Sequence, residues 1–504
     1  MTAQVASVPF ICARREALGI GFSGTSTARF GLDLTDASGR RNGVFWRWEA
    51  EGDRVTLVND HLGMAPLFYH SDESRFMASP SLAKLLELGV PRELDAEAIC
   101  VFLRLGWYLG EDTPFRHVKV LPPGATLVWQ AGRLSLDAGE VVRRETPMTY
   151  EAAVEGYVDL FGQAIARRPA PPGDCLVPLS GGADSRHILL ELCRQGRAPR
   201  HAVTVVRWRT EGDQDWECAA RLAAAVGVEH VALRPSRFYA REELLKNRLT
   251  GFLSDEHTFL NPIRRFALGR FGHLFDGIGG DILSAGLYID REATELCRRG
   301  EFERLVPRVL RYDGGLDFLA RALFGIALDV EAVARERVAR DLARWQQAAN
   351  PLGLFYLMSR TRREVASAPY GLFAAVGQVH APYLDRNLYD HLAGLPAEHL
   401  WDHGFHRDVI RRAYPEQADI PFAAGEAKPS AAQKGSAAMQ LLGFAAMRSP
   451  SATAGLARLV ARQVRGGDAG RFNWRTAFYL LQLDRLRATP RPDEPNRWPL
   501  AEAG

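Results

Sequence analysis

Pro178-Leu-Ser-Gly-Gly-Ala-Asp-Ser185 decides the reading of this chain. The apolar run Cys175 to Leu179 predicts a buried strand, and Asp184 to Leu192 has the apolar spacing of a helix. Between them, Ser180, Gly181 and Gly182 form a turn in which two glycines let the backbone fold tightly. Several N–H groups and a helix N-terminus then converge on one spot, and such a spot binds phosphate. The loop is neither a Walker loop, which needs Gly-Lys-Ser/Thr, nor a dinucleotide fingerprint, which needs G-x-G-x-x-G.

Working outward, strands are predicted at His201 to Val206, His230 to Leu233 and His273 to Asp276, and helices at Asp215 to Val226, Tyr239 to Leu249 and Pro262 to Phe271. This alternation predicts a parallel sheet with right-handed crossovers. Pro178 resists it, since a central strand tolerates a missing N–H only where that donor points away from the ladder. A second loop, Asp276-Gly-Ile-Gly-Gly-Asp281, follows the strand beginning at His273. Both loops leave the carboxyl edge of the sheet, outside which ligands bind, so Asp184 and Asp281 are brought to one site. Two carboxylates from separate loops suit magnesium held on a nucleotide. The bland alternative makes Asp184 a helix cap and Asp281 a solvated turn residue.

From Arg40 to about Leu136 the signals are hairpins, such as Val44 to Trp48 with Arg54 to Val58, plus helices at Ser81 to Leu88 and Asp95 to Leu105. Tyr150 to Arg168 is an amphipathic helix, so a linker is placed at residues 138–149 and two domains at 1–140 and 150–504. From about Asp290 onward the pattern is nearly all helical, ending in an aromatic and leucine face from Phe472 to Leu483 that suits core packing. Ala423 to Ser436 reads as a mobile loop.

Hydrophobic content of 47% supports sizeable cores, and a formal charge of +3 over 504 residues gives no case for nucleic acid or an anionic membrane. A small-molecule or peptide carboxylate and an amine are the expected partners; an oligomer is compatible with the sequence. The six cysteines are scattered without C-x-x-C, as buried thiols of a reducing compartment would be. With no signal-peptide layout and no membrane-length apolar run, the expected compartment is the cytoplasm. The only lysines are Lys84, Lys119, Lys246, Lys428 and Lys434, which draws attention to each.

The Ser180 to Ser185 loop resembles the pyrophosphate loop SGGxDS of the ATP pyrophosphatases, and together with Asp276 to Asp281 it resembles the synthetase domain of the asparagine synthetase superfamily. That superfamily includes beta-lactam synthetases and the macrolactam synthetases of lasso peptides. His380-Ala-Pro-Tyr-Leu-Asp385 is similar to its R-x-P-F-L-D segment, and Arg407 to Ala413 to the helix after it. Asn59 to Tyr69, Met77 to Ser79 and Val120 to Gly124 resemble the later part of the glutaminase domain of asparagine synthetase. The resemblance implies an α/β protein: an Ntn-hydrolase-like α+β sandwich remnant, then a parallel-sheet ATP-pyrophosphatase domain of the adenine nucleotide alpha hydrolase type with a helical C-terminal part.

By position, the resemblance implies ATP contacts at Leu179, Ser180, Gly181, Gly182, Asp184, Ser185, Val205, Gly277, Gly279 and Gly280. It implies Mg²⁺ on Asp184 and Asp281, and Lys428 as the cation steadying the charged transition state, with Lys434 as its rival. Three departures shape the expected chemistry. Thr2 stands where the glutaminase has its N-terminal cysteine, so the first domain is expected to be inactive. Ile278 replaces the Glu or Tyr that assists the attacking amine, and Arg186, in place of a second Ser, reaches either phosphate or an acid such as Glu191. The implied activity is an AMP-forming carbon-nitrogen ligase of the asparagine synthase type. The alternatives are a macrolactam- or lactam-forming cyclase, a sulfur-inserting pyrophosphatase, whose paired cysteines are missing, and a catalytically silent nucleotide-binding partner.

Overall fold

The computed structural model describes residues 8–17, 19–35, 39–206, 212–424, 431–447, 449–464 and 473–488. The first part of the chain forms two five-stranded antiparallel sheets. One runs Lys119–Val120, Phe68–Ser71, Arg75–Ser79, Ile11–Glu16, Gly19–Gly24, and the other Arg133–Asp137, Thr126–Gln130, Arg54–Asn59, Phe45–Glu51, Thr27–Gly31. Alternation sends Ile11, Ala13, Phe76 and Ala78 of the first sheet and Trp46, Trp48, Leu57 and Trp129 of the second into one shared core. The opposite face of the first sheet, with Cys12, Phe68 and Met77, packs on helices Leu82–Glu87 and Ala96–Leu105. Ser81 and Asp95 cap those helices through their side chains, as expected from sequence. The strands between Ile11 and Gly31 are not apparent in the sequence, because their arginines, glycines and serines hide the period of two.

The third five-stranded sheet is parallel, in the order Glu229–Leu233, His201–Val205, Cys175–Pro178, His273–Phe275, Gln378–His380. The earliest strand lies in the middle, so the chain winds outward to one side and then to the other, which opens a crevice at the carboxyl edge. Gln378–His380 corrects the expectation of an all-helical second half; three residues between helical segments are too few to show a strand period. Pro178 is accommodated as required. N–H groups alternate sides along a strand, and the Leu179 N–H donates to Val203 O at 2.8 Å. Position 178 therefore faces His273–Phe275, where pairing has already ended at Leu176. The helix expected at Pro262 to Phe271 is shorter, Asn261–Ala267.

Residues 138–149 run without regular structure but are pinned, with the Tyr389 hydroxyl donating to Val141 O and the Thr146 N–H to Gly394 O. Helices Asp317–Phe324 and Val330–Trp345, with the last helix Trp474–Ala488, clasp the helix Ala96–Leu105 of the first part. Arg104 is the clasp: it is buried and pairs with Asp317 at 2.8 Å and Glu331 at 2.7 Å. Tyr108 and Tyr479 join hydroxyls at 2.6 Å in the same contact. All six cysteines are free thiols and all but Cys193 are buried. Among the described residues no helix is long and apolar enough to cross a membrane.

Candidate active site

The first loop is held by its own side chains. The Ser180 N–H donates to Ser185 Oγ at 3.0 Å, the Gly182 N–H to Ser180 Oγ at 3.2 Å, and the Gly181 N–H to Asp215 Oδ1 at 2.9 Å. The helix Ala183–Arg194 begins at Gly182 with no side chain capping it, so its N-terminus is available to an anion. An anion would also have to displace Asp215, whose carboxylate already occupies an acceptor position on the loop. Gly181 is required for close approach: a Cβ there would lie 2.6 Å from Ala423 Cβ.

The second loop lies directly against the first. A Cβ on Gly280 would sit 2.6 Å from Asp184 Oδ1, and one on Gly277 would sit 2.9 Å from Asp184 Cβ. The loop thus needs small residues because Asp184 fills the space. Asp184 is in the first turn of its helix and not its cap, while the Asp281 carboxylate accepts the Ile282 N–H at 2.8 Å. Burial, then the charge of Asp184, raises Asp281 from 3.8 to about 6 against a lowering by Arg360. Asp276 is likewise raised to about 6, by burial and secondarily by Asp184, although the Ile278 N–H opposes the rise. Carboxylates crowded in this way, with glycine backbone around them, fit a divalent cation carrying phosphate.

Leu179 and Val205 end adjacent strands. The N–H of Leu179 is taken by Val203 O, and its carbonyl already accepts from Thr204 Oγ1 at 2.6 Å. Leu179 therefore offers a base its position beside Val205 at the strand ends, and its N–H is not available. Lys428 and Thr2 lie outside the described residues, and the loop expected from Ala423 to Ser436 gives way at Ala431 to the helix Ala431–Ala446, which contains Lys434. Ile278 is buried, as its apolar type demands.

Arg186 pairs with backbone carbonyls and an aromatic ring rather than with an acid. Its guanidinium donates to Ile420 O at 2.6 Å and Pro421 O at 2.5 Å and stacks 3.9 Å from the centre of Phe422. Arg407 covers the same ring at 5.1 Å. The strap so held reaches the first loop, where the Ala423 N–H donates to Gly181 O at 3.0 Å. Glu191 is instead occupied by Tyr414, Arg194 and Gln195.

Within electrostatic reach of Asp281 lies a cluster of charged side chains around Arg360 that sequence reasoning missed. Arg360 and Glu364 sit on a widened, π-helical stretch, Leu357–Val365, a distortion common at functional sites. Arg360 Nε lies 3.4 Å from Glu364, its Nη2 lies 3.6 Å from Glu256, and its guanidinium covers Tyr288 at 5.7 Å. Tyr288 holds a left-handed φ of 64°, is 43% exposed and packs its ring at a tilt on Tyr356, centres 4.7 Å apart. Asp255, Glu256 and Glu364 bring carboxylate oxygens within 4.8 Å of one another. Glu256 accepts from Arg311, whereas Asp255 accepts from Asn473 and Thr476 through Oδ2 alone and keeps a buried Oδ1 without a hydrogen bond among the described residues. Glu364 is fully buried with no hydrogen bond to either oxygen among the described residues, and burial, then the charge of Glu256, pushes it well above the usual carboxylate range. Burial of this kind favours the neutral, protonated form of the acid.

Two family models match the chain: a glutamine amidotransferase domain over residues 31–138 and asparagine synthase over residues 156–417. The second spans both glycine loops, the π-helical stretch and the helix Phe405–Ala413, so the site described lies within it. No curated protein matches the chain.

Proposed function

Because the chain belongs to the asparagine synthase family of ATP-using ligases, we propose that it joins a carboxylate to an amine through an acyl adenylate. A carboxylate oxygen attacks the α-phosphorus of ATP and the bond to pyrophosphate breaks. The amine nitrogen then attacks the acyl carbon, the bond to AMP breaks, and the amine proton leaves to a base. The observation that carries this reading is the apposition of Asp184 and Asp281 on two glycine loops at the sheet's carboxyl edge. The Ala183–Arg194 N-terminus receives pyrophosphate oxygens, and Asp184 and Asp281 hold magnesium. When bound, that ion offsets charge on the phosphates. Glu364, when ionised against Arg360, would take the amine proton in place of the acid that Ile278 cannot supply.

With threonine at position 2, the amine is free ammonia or an amine of the substrate, which keeps an intramolecular cyclase among the products of the same chemistry. The buried, unsatisfied Glu364 favours an active ligase over a silent nucleotide-binding subunit, since a subunit needing only packing has no use for such a group. Calorimetric titration with ATP, with and without Mg²⁺, tests the reading. Asp184→Asn and Asp281→Asn are each expected to lose about tenfold or more of the metal-dependent affinity. Unchanged affinity in both would remove the nucleotide-metal assignment.

A further inference from the structure

Behind Asp184 lies a closed set of polar side chains that neither loop motif accounts for: Tyr157, His187, Ser284, Tyr383 and His406, each at most 1% exposed. His406 Nδ1 is 3.2 Å from Asp184 Oδ1 and 3.0 Å from Ser284 Oγ. Ser284 in turn donates its only proton to Gly280 O at 2.8 Å and accepts from the Tyr157 hydroxyl at 3.0 Å. Toward His406 it is therefore an acceptor, as the Asp184 carboxylate is, and both require the proton on Nδ1. Nε2 is then the acceptor. Its neighbours are the Tyr157 hydroxyl at 3.2 Å, the Tyr383 hydroxyl at 3.4 Å and His187 Nδ1 at 3.2 Å. Tyr157 has given its proton to Ser284, and Tyr383 donates to Asp184 O at 2.9 Å. His187 is left as the donor, its ring fixed by stacking on Phe161 at 3.7 Å. The order of donation is His187 to His406 and His406 to Ser284, with the Asp184 carboxylate 3.2 Å from the same Nδ1.

We propose that His406 is a positioning residue: through Nδ1–H it braces the Asp184 carboxylate of the first loop to Ser284, and so to Gly280 of the second, fixing the spacing at which the two aspartates share a metal ion. The proposal rests on the nucleotide-metal reading of the two loops. Groups that orient metal-ligating carboxylates act on metal affinity without touching the ion, and their loss commonly costs about 10- to 100-fold. The single ring nitrogen between two loops explains why a histidine is buried here without an ionic partner behind it.

The test measures ATP binding by calorimetry across a series of MgCl₂ concentrations. His406→Leu is expected to raise the half-saturating Mg²⁺ by about tenfold or more, while ATP binding without metal stays within about twofold. His406→Asn, whose amide nitrogen falls near the position of Nδ1, is expected to return to within about threefold of wild type. A merely structural role would weaken both variants alike and would not spare metal-free binding. Should the leucine variant fail to fold, Ser284→Ala, which removes one hydroxyl of the brace, is expected to raise the Mg²⁺ demand severalfold. A folded His406→Leu, or Ser284→Ala, with the Mg²⁺ demand of wild type overturns the brace. If instead wild type and Asp184→Asn bind ATP alike with and without Mg²⁺, the underlying reading has failed and not the brace alone.

Discussion

Replacing Asp281 with asparagine should stabilise the metal-free protein while abolishing its use of magnesium. The carboxyl rises from 3.8 to about 6, chiefly through burial and then through the charge of Asp184. A difference of about two pH units corresponds to ~3 kcal/mol. Asp184 shares that cost and the site is partly open to water, so a net gain of ~1–2 kcal/mol is the reasonable figure. The sign follows from proton binding: the folded chain holds this proton more tightly than the unfolded chain, so ionisation costs stability. The cost is absent near pH ~3, grows between 3.8 and about 6, and is complete above that. An asparagine side chain at this position carries no such cost, and its carbonyl still accepts the Ile282 N–H. Scanning calorimetry without metal should therefore show the variant melting about 2 °C higher at pH ~8, with about half that gain at pH ~5. Adding Mg²⁺ and ATP at the higher pH should reverse the order, because only wild type gains by binding. A variant that melts below wild type at that pH without metal, or a gain indifferent to pH, would refute the reasoning.

Glu364→Gln should slow amide formation by about 100-fold or more while leaving adenylation, read as exchange of labelled pyrophosphate into ATP, close to wild type. If exchange falls equally, Glu364 does not serve the second half-reaction. Lys428→Ala should lower the rate of pyrophosphate release far more than ATP affinity, and Lys434→Ala should not; the reverse ranking would exchange their roles, and normal rates in both would place the catalytic cation elsewhere. Glutamine should not serve as nitrogen donor, and glutamate release that disappears in Thr2→Ala would show otherwise. Arg186→Ala should speed hydrogen exchange at the Ala423 amide, and Arg186→Lys should not rescue it, because an ammonium cannot fork to two carbonyls and stack on Phe422 at once.

What was legible in the sequence was local. The strand, turn and helix around Ser180 to Ser185 are contiguous, and so are Asp276 to Asp281, so a parallel sheet with two loops at one edge follows from patterning alone. The roles of single charged residues were not legible. The sequence suggests an anion as the partner of Arg186, but its partners are backbone carbonyls of Ile420 and Pro421, and a carbonyl leaves no mark on sequence. The brace behind Asp184 gathers residues 157, 187, 284, 383 and 406 from separate parts of the chain, and only the packing of their elements brings them together. Glu364 looks like one more acid in the run Arg362-Arg363-Glu364. What isolates it is the burial of the π-helical turn, whose Arg362 and Arg363 donate to backbone carbonyls of the first part of the chain.

The site holds together although its charges repel, and the helix Phe405–Ala413 shows why. It offers His406 to Asp184 and Ser284, and Arg407 to the ring of Phe422 on the strap. Phe405, Val409 and Ile410 of the same helix are buried, Phe405 stacking on Tyr157 at 5.9 Å and Ile410 joining Leu179 and Leu189 in one core. Burying such side chains contributes ~1.5–3 kcal/mol each, so three of them outweigh the ~1–2 kcal/mol that the crowded carboxylates cost. The repulsion between Asp184 and Asp281 therefore does not spread the loops; it remains as an unfilled preference for a cation. Both loops and the strap share this one helix as their anchor. The geometry proposed to receive metal and phosphate is accordingly fixed by apolar packing behind the site, before any ligand arrives.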